Sequence, residues 1–584
     1  MSGQQQYGSD VIVDLLQGFG IEYVALNPGA TYRGLHDSLV NYGGGKPEII
    51  LCTHEKLAVS LAHGYAKATG KPMAAIVHDV VGLLHSTMGI YYAHIDRVPV
   101  IVIGATGPLD RTRRRPYIDW IHSANVQGNA VRDFTKWDDQ PATVADFPAS
   151  FARAYRIATS EPSGPVYLCY DAGLQEQKLT AQVDVAPFVA AARPAPVQAD
   201  PRSLERAADL LAKAARPVIV TEFTGRHPDA SAALIALAER CAAAVIDLGG
   251  RTTMPNRHPL NLTGGNALAE ADVVLGVDVG DMYRALNRLD RLTHQKSSLI
   301  PAGCTIIDLG LAELRVSKWS EDLGQFQPVD LSIVADTRLA LPVLGELVTE
   351  RLAKTGDADR EARRASLASR HDDIHRKWAA DARREWDAIP MTAARLAAEV
   401  WDVIKDEDWV LTAGTLEDWA IRLWDVNAPH RHPGRSLGTA TQIGTSLGVG
   451  LAYKDTDKVI VDLQPDGDLL YDPGALWTAA HYRIPLLVVM YNNRAYFNDW
   501  EHQIRVAEHR GTPVENAHIG MDITDPAPDF AMLARSFGWQ AEGPIEDPRD
   551  VRPALERALA YVKKERRPAL VDTVVRQRVP GRYR

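Results

Sequence analysis

Residues 458–493 read KVIVDLQPDGDLLYDPGALWTAAHYRIPLLVVMYNN, two short apolar runs with a helix-like segment between them. Apolar runs of this length that end in polar or glycine-rich turns predict buried parallel strands joined by a helix. A single crossover places the carboxyl ends of two neighbouring parallel strands at the same edge of a sheet. We therefore expect the turn Asp466-Gly467-Asp468 and the pair Asn492-Asn493 to lie side by side.

These two turns carry the side chains that a hard cation prefers. The Asp466 carboxylate, the Asn493 amide oxygen and a backbone carbonyl at about Ala495 are oxygen ligands suited to magnesium or calcium. Gly467 has no side chain, so the backbone there can approach a diphosphate closely. Taken alone, Asp-Gly is better explained as an ordinary strand–loop–helix turn, and the motif needs support from the rest of the chain.

The same alternation of strands and helices extends outward over most of the sequence. It predicts an α/β chain with three doubly wound parallel-sheet domains. The expected divisions are an N-terminal domain at 1–188, a central domain at 195–350 and a C-terminal domain at 389–584. Residues 351–388 are densely charged with sparse apolar positions, which predicts a solvated helical linker.

Length and composition limit the function classes. A chain of 584 residues is long enough for about three domains, and 46% hydrophobic with 24% charged residues is typical of a globular protein. A formal net charge of -10 disfavours nucleic acid and anionic membrane as partners. The sequence has neither a secretory leader pattern nor an apolar run of bilayer length, so we expect a cytoplasmic protein with small-molecule substrates.

The run at 465–493 resembles the thiamine diphosphate fingerprint of acetolactate synthases, pyruvate decarboxylases and benzoylformate decarboxylases. ALWTAAHYRIP is especially similar to the benzoylformate decarboxylase version, and Pro465 replaces the first glycine of the fingerprint. The resemblance implies a pyrimidine-binding domain, a central domain of degenerate nucleotide-fold type and a diphosphate-binding domain. It also implies bound thiamine diphosphate and Mg²⁺ or Ca²⁺, with Gly467 and Asp468 against the cofactor, and a homodimer or homotetramer with active sites between subunits.

No flavin is expected in the central block. It contains no GxGxxG after a strand, and its RHPLN turn at 257–261 resembles benzoylformate decarboxylase, which carries no FAD.

Two N-terminal residues match catalytic positions of this family. Glu55, in CTHEKLAVSLAHGYAKATGKP, matches the glutamate that activates the cofactor through its pyrimidine nitrogen; the residue alone would equally suit the first turn of a helix. His78, at the end of the next predicted strand, resembles the pocket histidine of benzoylformate decarboxylases, which transfers protons to and from the bound intermediate. A loop histidine satisfied by backbone groups is the alternative.

Substrate-facing positions depart from the benzoylformate decarboxylase pattern. Ala30 replaces a serine, Tyr283 falls where the family has a histidine, and Asn498 and His502 stand where it has mostly apolar residues. His122 corresponds to a position that often faces the substrate, although a surface-loop histidine is an equal alternative. For the residue beneath the bent cofactor, Thr441 and Ile443 both remain candidates.

These features predict a thiamine diphosphate-dependent, non-oxidative 2-oxo acid decarboxylase. The first alternative is a carboligase like acetolactate synthase or another thiamine-dependent carbon–carbon lyase; His78 speaks against it and the polar stretch from Asn498 to His502 favours it. The second alternative is a catalytically silent cofactor-binding or assembly protein, which the joint retention of Glu55, Asp466 and Asn493 disfavours.

Overall fold

The computed structural model describes residues 4–191, 193–315, 325–354, 357–414, 418–434 and 438–577. Within these ranges the chain forms three parallel sheets, of six, five and five strands, and one two-stranded antiparallel hairpin. All neighbouring strands within the three large sheets are parallel. The predicted α/β class with three parallel sheets is confirmed.

The N-terminal sheet has the strand order β2-β1-β3-β4-β6-β5. Its strands are β1 (Tyr23–Leu26), β2 (Glu48–Leu51), β3 (Met73–Val77), β4 (Val100–Thr106), β5 (Asp138–Asp139) and β6 (Val166–Asp171). The helices are α1 (Gly8–Gly18), α2 (Arg33–Asp37), α3 (Glu55–Thr69), α4 (Asp79–Ile95), α5 (Ile118–Ile121), α6 (Phe147–Thr159), α7 (Ala172–Gln175) and α8 (Ala186–Val189). Alternate strand residues enter two different cores, so helices cover both faces of the sheet.

The central sheet has the order β13-β12-β9-β7-β8. The strands of this region are β7 (Pro217–Thr221), β8 (Ala244–Asp247), β9 (Val273–Val277), the hairpin β10 (Asn287–Leu289) and β11 (Lys296–Ser298), β12 (Thr305–Gly310) and β13 (Leu331–Val334). Its helices are α9 (Pro201–Lys213), α10 (Pro228–Cys241), α11 (Met282–Leu286) and α12 (Thr337–Leu352). Helix α13 (Ala358–Ala382) follows within the charged segment and buries few of its side chains.

The C-terminal sheet has the order β14-β15-β16-β18-β17. Its strands are β14 (Trp409–Gly414), β15 (Val459–Pro465), β16 (Leu487–Asn492), β17 (Gln540–Ile545) and β18 (Ala569–Val574). The helices are α14 (Ala393–Ile404), α15 (Trp419–Leu423), α16 (Gln442–Ala452), α17 (Asp466–Tyr471), α18 (Ala475–His481), α19 (Phe497–Arg510), α20 (Phe530–Ser536) and α21 (Pro548–Glu565). In the described part of the chain, no helix combines the length and the apolarity needed to cross a membrane.

The N-terminal and C-terminal sheets are joined by a close crossing of α3 and α16. A Cβ added to Gly64 would lie 2.0 Å from the carbonyl oxygen of Thr445, and one added to Gly448 would lie 2.0 Å from that of Leu61. Only glycine allows the two helix backbones to approach this closely. The buried residues around the crossing, from both ends of the chain, form one continuous apolar core.

A buried ion-pair network ties the N-terminal unit to the central one. Asp96, which ends α4, lies 2.7 Å from each of three nitrogens: His63 Nε2, Lys67 Nζ and Arg251 Nη1. Burial of the Asp96 carboxylate would raise its pKa, but Arg251 and Lys67 outweigh that effect and hold the pKa well below its usual range. Because Arg251 belongs to the central unit, this carboxylate positions one sheet unit against another.

Candidate active site

The C-terminal ends of β15 and β16 bring Asp466 and Asn493 together. The backbone N–H of Ala495 donates to Asp466 Oδ2 at 3.3 Å and to Asn493 Oδ1 at 3.0 Å. The two strands pair in parallel up to Pro465, which lies opposite Tyr491. Proline at this position therefore ends β15 without breaking its pairing, and the acid and the amide lie within reach of a single ligand.

Asp466 is a buried carboxylate whose charge is not balanced by an ion pair among the described residues. Its side chain accepts the Gly467 N–H at 2.9 Å, and the residue is 3% exposed. Among the described residues, no lysine or arginine forms an ion pair with it. Burial raises the pKa of Asp466 to about 6 even though backbone N–H groups oppose the shift. A carboxylate and an amide oxygen side by side fit a hard divalent cation, which would compensate the buried charge.

The turn after Asp466 is tightly packed. A Cβ at Gly467 would lie 2.6 Å from the ring of Tyr496, so any side chain there would require this ring to shift. Asp468 accepts the Ala440 N–H at 2.6 Å and the Gln464 side-chain N–H at 3.2 Å. Asp468 therefore holds the loop that precedes α16 against the turn formed by residues 466–468.

Glu55 is the first residue of α3 and is buried, with 7% exposure. Its Oε2 lies 3.3 Å from Nδ1 of His85, on the next helix. Gly82 packs against it so closely that a Cβ there would lie 3.1 Å from Glu55 Oε1. The helix end is anchored to the C-terminal unit by the ion pair between Lys56 and Asp472 at 3.6 Å. The carboxylate thus lies in a confined space beside the C-terminal unit, where a bound heterocycle could accept its hydrogen bond.

His78 follows β3 and immediately precedes α4. Its Nδ1 shares a hydrogen bond with the Thr31 hydroxyl at 3.0 Å. Gly29 lies under the ring, and a Cβ there would be 2.4 Å from the His78 Cβ. The rings of His78 and His122 meet edge to face at 5.7 Å. The structure therefore brings together two histidines that the sequence separates by more than one helix.

The two candidates for the position under the cofactor differ in their surroundings. Thr441 precedes α16, and its hydroxyl donates to the carbonyl of Gly438 at 2.7 Å. Ile443 is completely buried in the core that the two terminal units share. Both lie at the start of α16, next to the loop held by Asp468.

The remaining substrate candidates are spread over three units. Ala30 starts a 3-10 turn and adjoins Thr31. Tyr283 lies in α11, with the Lys296 amino group 5.7 Å above its ring. Asn498 is exposed in the first turn of α19, while His502 is half-buried with Nε2 3.5 Å from Arg291 Nη1 of the central unit. These described contacts do not join Tyr283, Asn498 or His502 to Glu55 or His78.

Sequence reasoning missed three neighbours of the predicted residues. Thr31 contacts His78, His85 contacts Glu55, and Asp79 lies between His78 and His122. Asp79 immediately follows His78, and an acidic residue beside a candidate histidine was the available signal. Its position depends on a backbone φ of 34°, which the sequence pattern does not reveal.

The sheet edges thus present a confined carboxylate on the N-terminal unit and a phosphate- and metal-type turn on the C-terminal unit, as expected of a thiamine diphosphate-binding protein. Family models for the thiamine pyrophosphate enzymes match all three parts of the chain. The N-terminal TPP binding domain matches residues 6–128, the central domain 204–344 and the C-terminal TPP binding domain 412–573. The chain belongs to the thiamine pyrophosphate enzyme family and is a thiamine diphosphate-dependent enzyme.

Curated relatives include two kinds of enzyme. A probable acetolactate synthase large subunit of Methanococcus aeolicus is 24% identical, over 94% of this chain and 90% of the relative. A probable 2-ketoarginine decarboxylase of Pseudomonas aeruginosa is 26% identical, again over 94% of this chain and 90% of the relative.

Solved structures share the fold over nearly the full length of the chain. A benzoylformate decarboxylase of Polynucleobacter necessarius superposes with a TM-score of 0.75 at 19% identity, covering 99% of this chain and 100% of its own. A 4-hydroxybenzoylformate decarboxylase of Rhodococcus jostii superposes with a TM-score of 0.74 at 20% identity, covering 98% and 99%. At these identities the likeness shows the fold alone.

Proposed function

We propose that the protein is a non-oxidative 2-oxo acid decarboxylase that uses thiamine diphosphate and a divalent cation, Mg²⁺ or Ca²⁺. The observation that carries the proposal is the placement of His78 at the end of β3, with its ring held by Thr31 and Gly29. An imidazole can both give and accept a proton, and is therefore suited to deliver the proton that replaces carbon dioxide. In a carboligase, by contrast, the carbon that has lost carbon dioxide forms a bond with a second carbonyl group instead of taking up a proton.

When bound, thiamine diphosphate supplies a nucleophilic carbon that adds to the 2-oxo group and accepts the electrons released as carbon dioxide leaves. Glu55 would hold a proton shared with the pyrimidine ring. Asp466, Asn493 and the carbonyl at Ala495 would hold the cation against the diphosphate, with the Gly467–Asp468 turn alongside. His78 would exchange a proton with the bound substrate fragment. Of the candidate substrate residues, His122 has its ring 5.7 Å from that of His78, and Ala30 adjoins Thr31, which hydrogen-bonds to His78.

Two subunits are proposed to share each active site, in a homodimer or homotetramer. Within a single chain, the start of α3 contacts the C-terminal unit through the ion pair of Lys56 with Asp472. No described contact, however, joins the Glu55 side chain to Asp466 or Asn493. A second chain can supply a diphosphate turn to face Glu55, and closed symmetric dimers make two such sites at once.

Mixing two inactive variants tests the shared site. Glu55→Gln and Asp466→Asn chains, unfolded and refolded together, form mixed dimers in which one site is entirely wild type. Shared sites predict recovery of about a quarter of wild-type turnover, because half of the dimers carry one intact site of two. No recovery, with mixed dimers present by native mass spectrometry, would refute the shared site.

The carboligase alternative is favoured by the acetolactate synthase relatives and by the polar residues on the first turns of α19. Incubation with cofactor, Mg²⁺ and a panel of 2-oxo acids, followed by chromatography, separates the two reactions. Free aldehydes are expected from a decarboxylase, and hydroxyketones from a carboligase. The decarboxylase proposal fails if coupled products alone accumulate.

A further inference from the structure

A second cluster of ligand-type side chains lies at the start of α4, apart from the Asp466 turn. Asp79 Oδ2 is 2.9 Å from His78 Nε2 and 3.4 Å from His122 Nδ1. All three atoms lie within 4.8 Å of one another. Asp79 is completely buried, whereas the side chains of His78 and His122 keep 16% and 26% exposure, so the cluster has one closed and one open side.

These short approaches are not hydrogen bonds. Oδ2 of Asp79 and Nδ1 of His122 are both buried and have no hydrogen-bond partner, even though each lies within 3.4 Å of the other. A buried carboxylate oxygen and a buried ring nitrogen without partners are costly to leave unsatisfied. Polar atoms that approach closely without pointing at each other are instead the arrangement expected when all of them face a common ion.

The other polar atoms of the cluster are already engaged in the way metal ligands require. The Thr31 hydroxyl shares a hydrogen bond with Nδ1 of His78 at 3.0 Å, so Nε2 is the ring nitrogen that remains to bind a metal. The N–H of Val81 donates to Asp79 Oδ1 at 3.0 Å, and Oδ2 is left for the ion. Asp79 also adopts a positive φ of 34°, a conformation that costs free energy and directs its carboxylate between the two rings.

We propose that His78, Asp79 and His122 form a transition-metal site of the Zn²⁺ class, distinct from the diphosphate cation site. Two imidazole nitrogens and one carboxylate favour Zn²⁺, Co²⁺, Ni²⁺ or Fe²⁺ over Mg²⁺ and Ca²⁺, which prefer oxygen ligands alone. Three protein ligands leave at least one coordination position for water or an oxygen of a small ligand. A metal ion bound there would occupy Nε2 of His78. Given the proton-transfer role proposed above for His78, the imidazole could not exchange protons while Zn²⁺ is bound.

A neighbouring set of residues serves as the internal comparison. His54, Glu55 and His85 also place three ligand-type atoms within 4.8 Å. However, His54 Nδ1 already accepts the Lys56 N–H at 3.1 Å, as the cap of α3. No side-chain atom of this set is both buried and without a hydrogen-bond partner. His85→Gln therefore removes a histidine next to the cofactor site without touching the proposed metal site.

The test measures metal directly. Protein stripped with EDTA is loaded with thiamine diphosphate and saturating Mg²⁺, so that the diphosphate site is filled, and is then titrated with Zn²⁺ or Co²⁺. Wild type and His85→Gln should bind one tight Zn²⁺ per chain by mass spectrometry of the metal, and Co²⁺ should give a visible ligand-field spectrum. Asp79→Asn and His122→Gln should each weaken Zn²⁺ binding more than about 10-fold, and Thr31→Val about 10-fold.

Several results would overturn the proposal. Wild-type protein that takes up no Zn²⁺ at micromolar concentration, or variants at 79 and 122 that bind it as wild type does, would exclude the site. Loss of Zn²⁺ binding in His85→Gln alone would show that the ion binds at the cluster of His54, Glu55 and His85 instead. Circular dichroism and cofactor binding check that each variant is folded; the partly exposed His122 provides the test if Asp79→Asn does not fold. Decarboxylase activity is not needed for any of these readouts.

Discussion

Asp466 and Asn493 share one hydrogen-bond donor, the backbone N–H of Ala495, although they follow different strands. The sharing follows from the parallel register of β15 and β16, which brings the residues after both strands to one point. Neither oxygen is saturated by a single shared donor, and both keep lone pairs for a cation.

Asp466→Asn should weaken Mg²⁺-dependent binding of thiamine diphosphate more than about 10-fold, because a neutral amide attracts a divalent cation far less than a carboxylate does. Isothermal titration with cofactor at fixed Mg²⁺ measures the change. Removal of Mg²⁺ with EDTA should release the cofactor from the wild type. The exposed Asp457→Asn, in the same unit, controls for loss of one negative charge; equal binding by the two variants would contradict the assignment.

Glu55→Gln should lower kcat at least about 100-fold while cofactor binding stays within a few-fold, because the amide keeps the shape of the site but loses the shared proton. Steady-state kinetics and fluorescence titration with thiamine diphosphate separate the two effects. Glu205→Gln, exposed on α9, is the matched control. Turnover close to wild type in Glu55→Gln would remove this residue from the mechanism.

Gly29→Ala should lower kcat about 10-fold or more, because the new Cβ would lie 2.4 Å from the His78 Cβ and push the ring away from Thr31. Gly34→Ala is the control, since its new Cβ meets no atom closer than 3.4 Å. His78→Ala removes the imidazole altogether and therefore gives the largest loss of kcat to be expected. If Gly29→Ala keeps wild-type kcat while His78→Ala does not, the position of the ring is not critical.

Asp462→Asn should stabilise the protein at pH 8 but have little effect near pH 4. Burial raises the pKa of Asp462 to about 7, so the folded state binds a proton that the unfolded state releases above about pH 4. The wild type therefore loses stability as pH rises from about 4 to about 7, at roughly 1.4 kcal/mol per pH unit at most. Asparagine mimics the protonated acid and can still accept the Gln442 hydrogen bond. Thermal unfolding midpoints of wild type and Asp462→Asn, measured from about pH 4 to about pH 8, test this prediction. A difference between the two midpoints that does not change with pH would contradict it.

Gly64→Ala should lower the free energy of unfolding by about 3 kcal/mol, the upper end for overpacking, because the added methyl meets the Thr445 carbonyl oxygen at 2.0 Å. The Thr445 carbonyl is part of the backbone of α16 and cannot rotate away from the new methyl group as a side chain could. Urea unfolding followed by tryptophan fluorescence measures the loss, with Gly34→Ala again as control. A change below about 0.5 kcal/mol would show that the two helices can separate at little cost.

The sequence supports the fold further than it supports the site. Local patterns predict two strands followed by Asp466 and Asn493, and a single crossover dictates that the ends of these strands meet. The pairing of His78 with His122 could not be predicted in this way, because it depends on the loop between β4 and α5. The roles of Glu55 and His78 came from family resemblance, and both stay predictions, as do the domain boundaries. Substrate positions such as Tyr283 and His502 depend on how separate units face one another, which local sequence patterns do not encode.

The glycine-mediated crossing of α3 and α16 makes the two ends of the polypeptide hold each other without help from the segment that links them. Arg383 and Arg384 lie exposed in the turn after α13, a natural trypsin site. Cleavage there would divide the chain into two fragments, which we expect to stay docked through the helix crossing at Gly64 and Gly448. The nicked enzyme would migrate as an intact particle and come apart only in denaturant, and the same two fragments, produced separately, are natural partners for reconstitution.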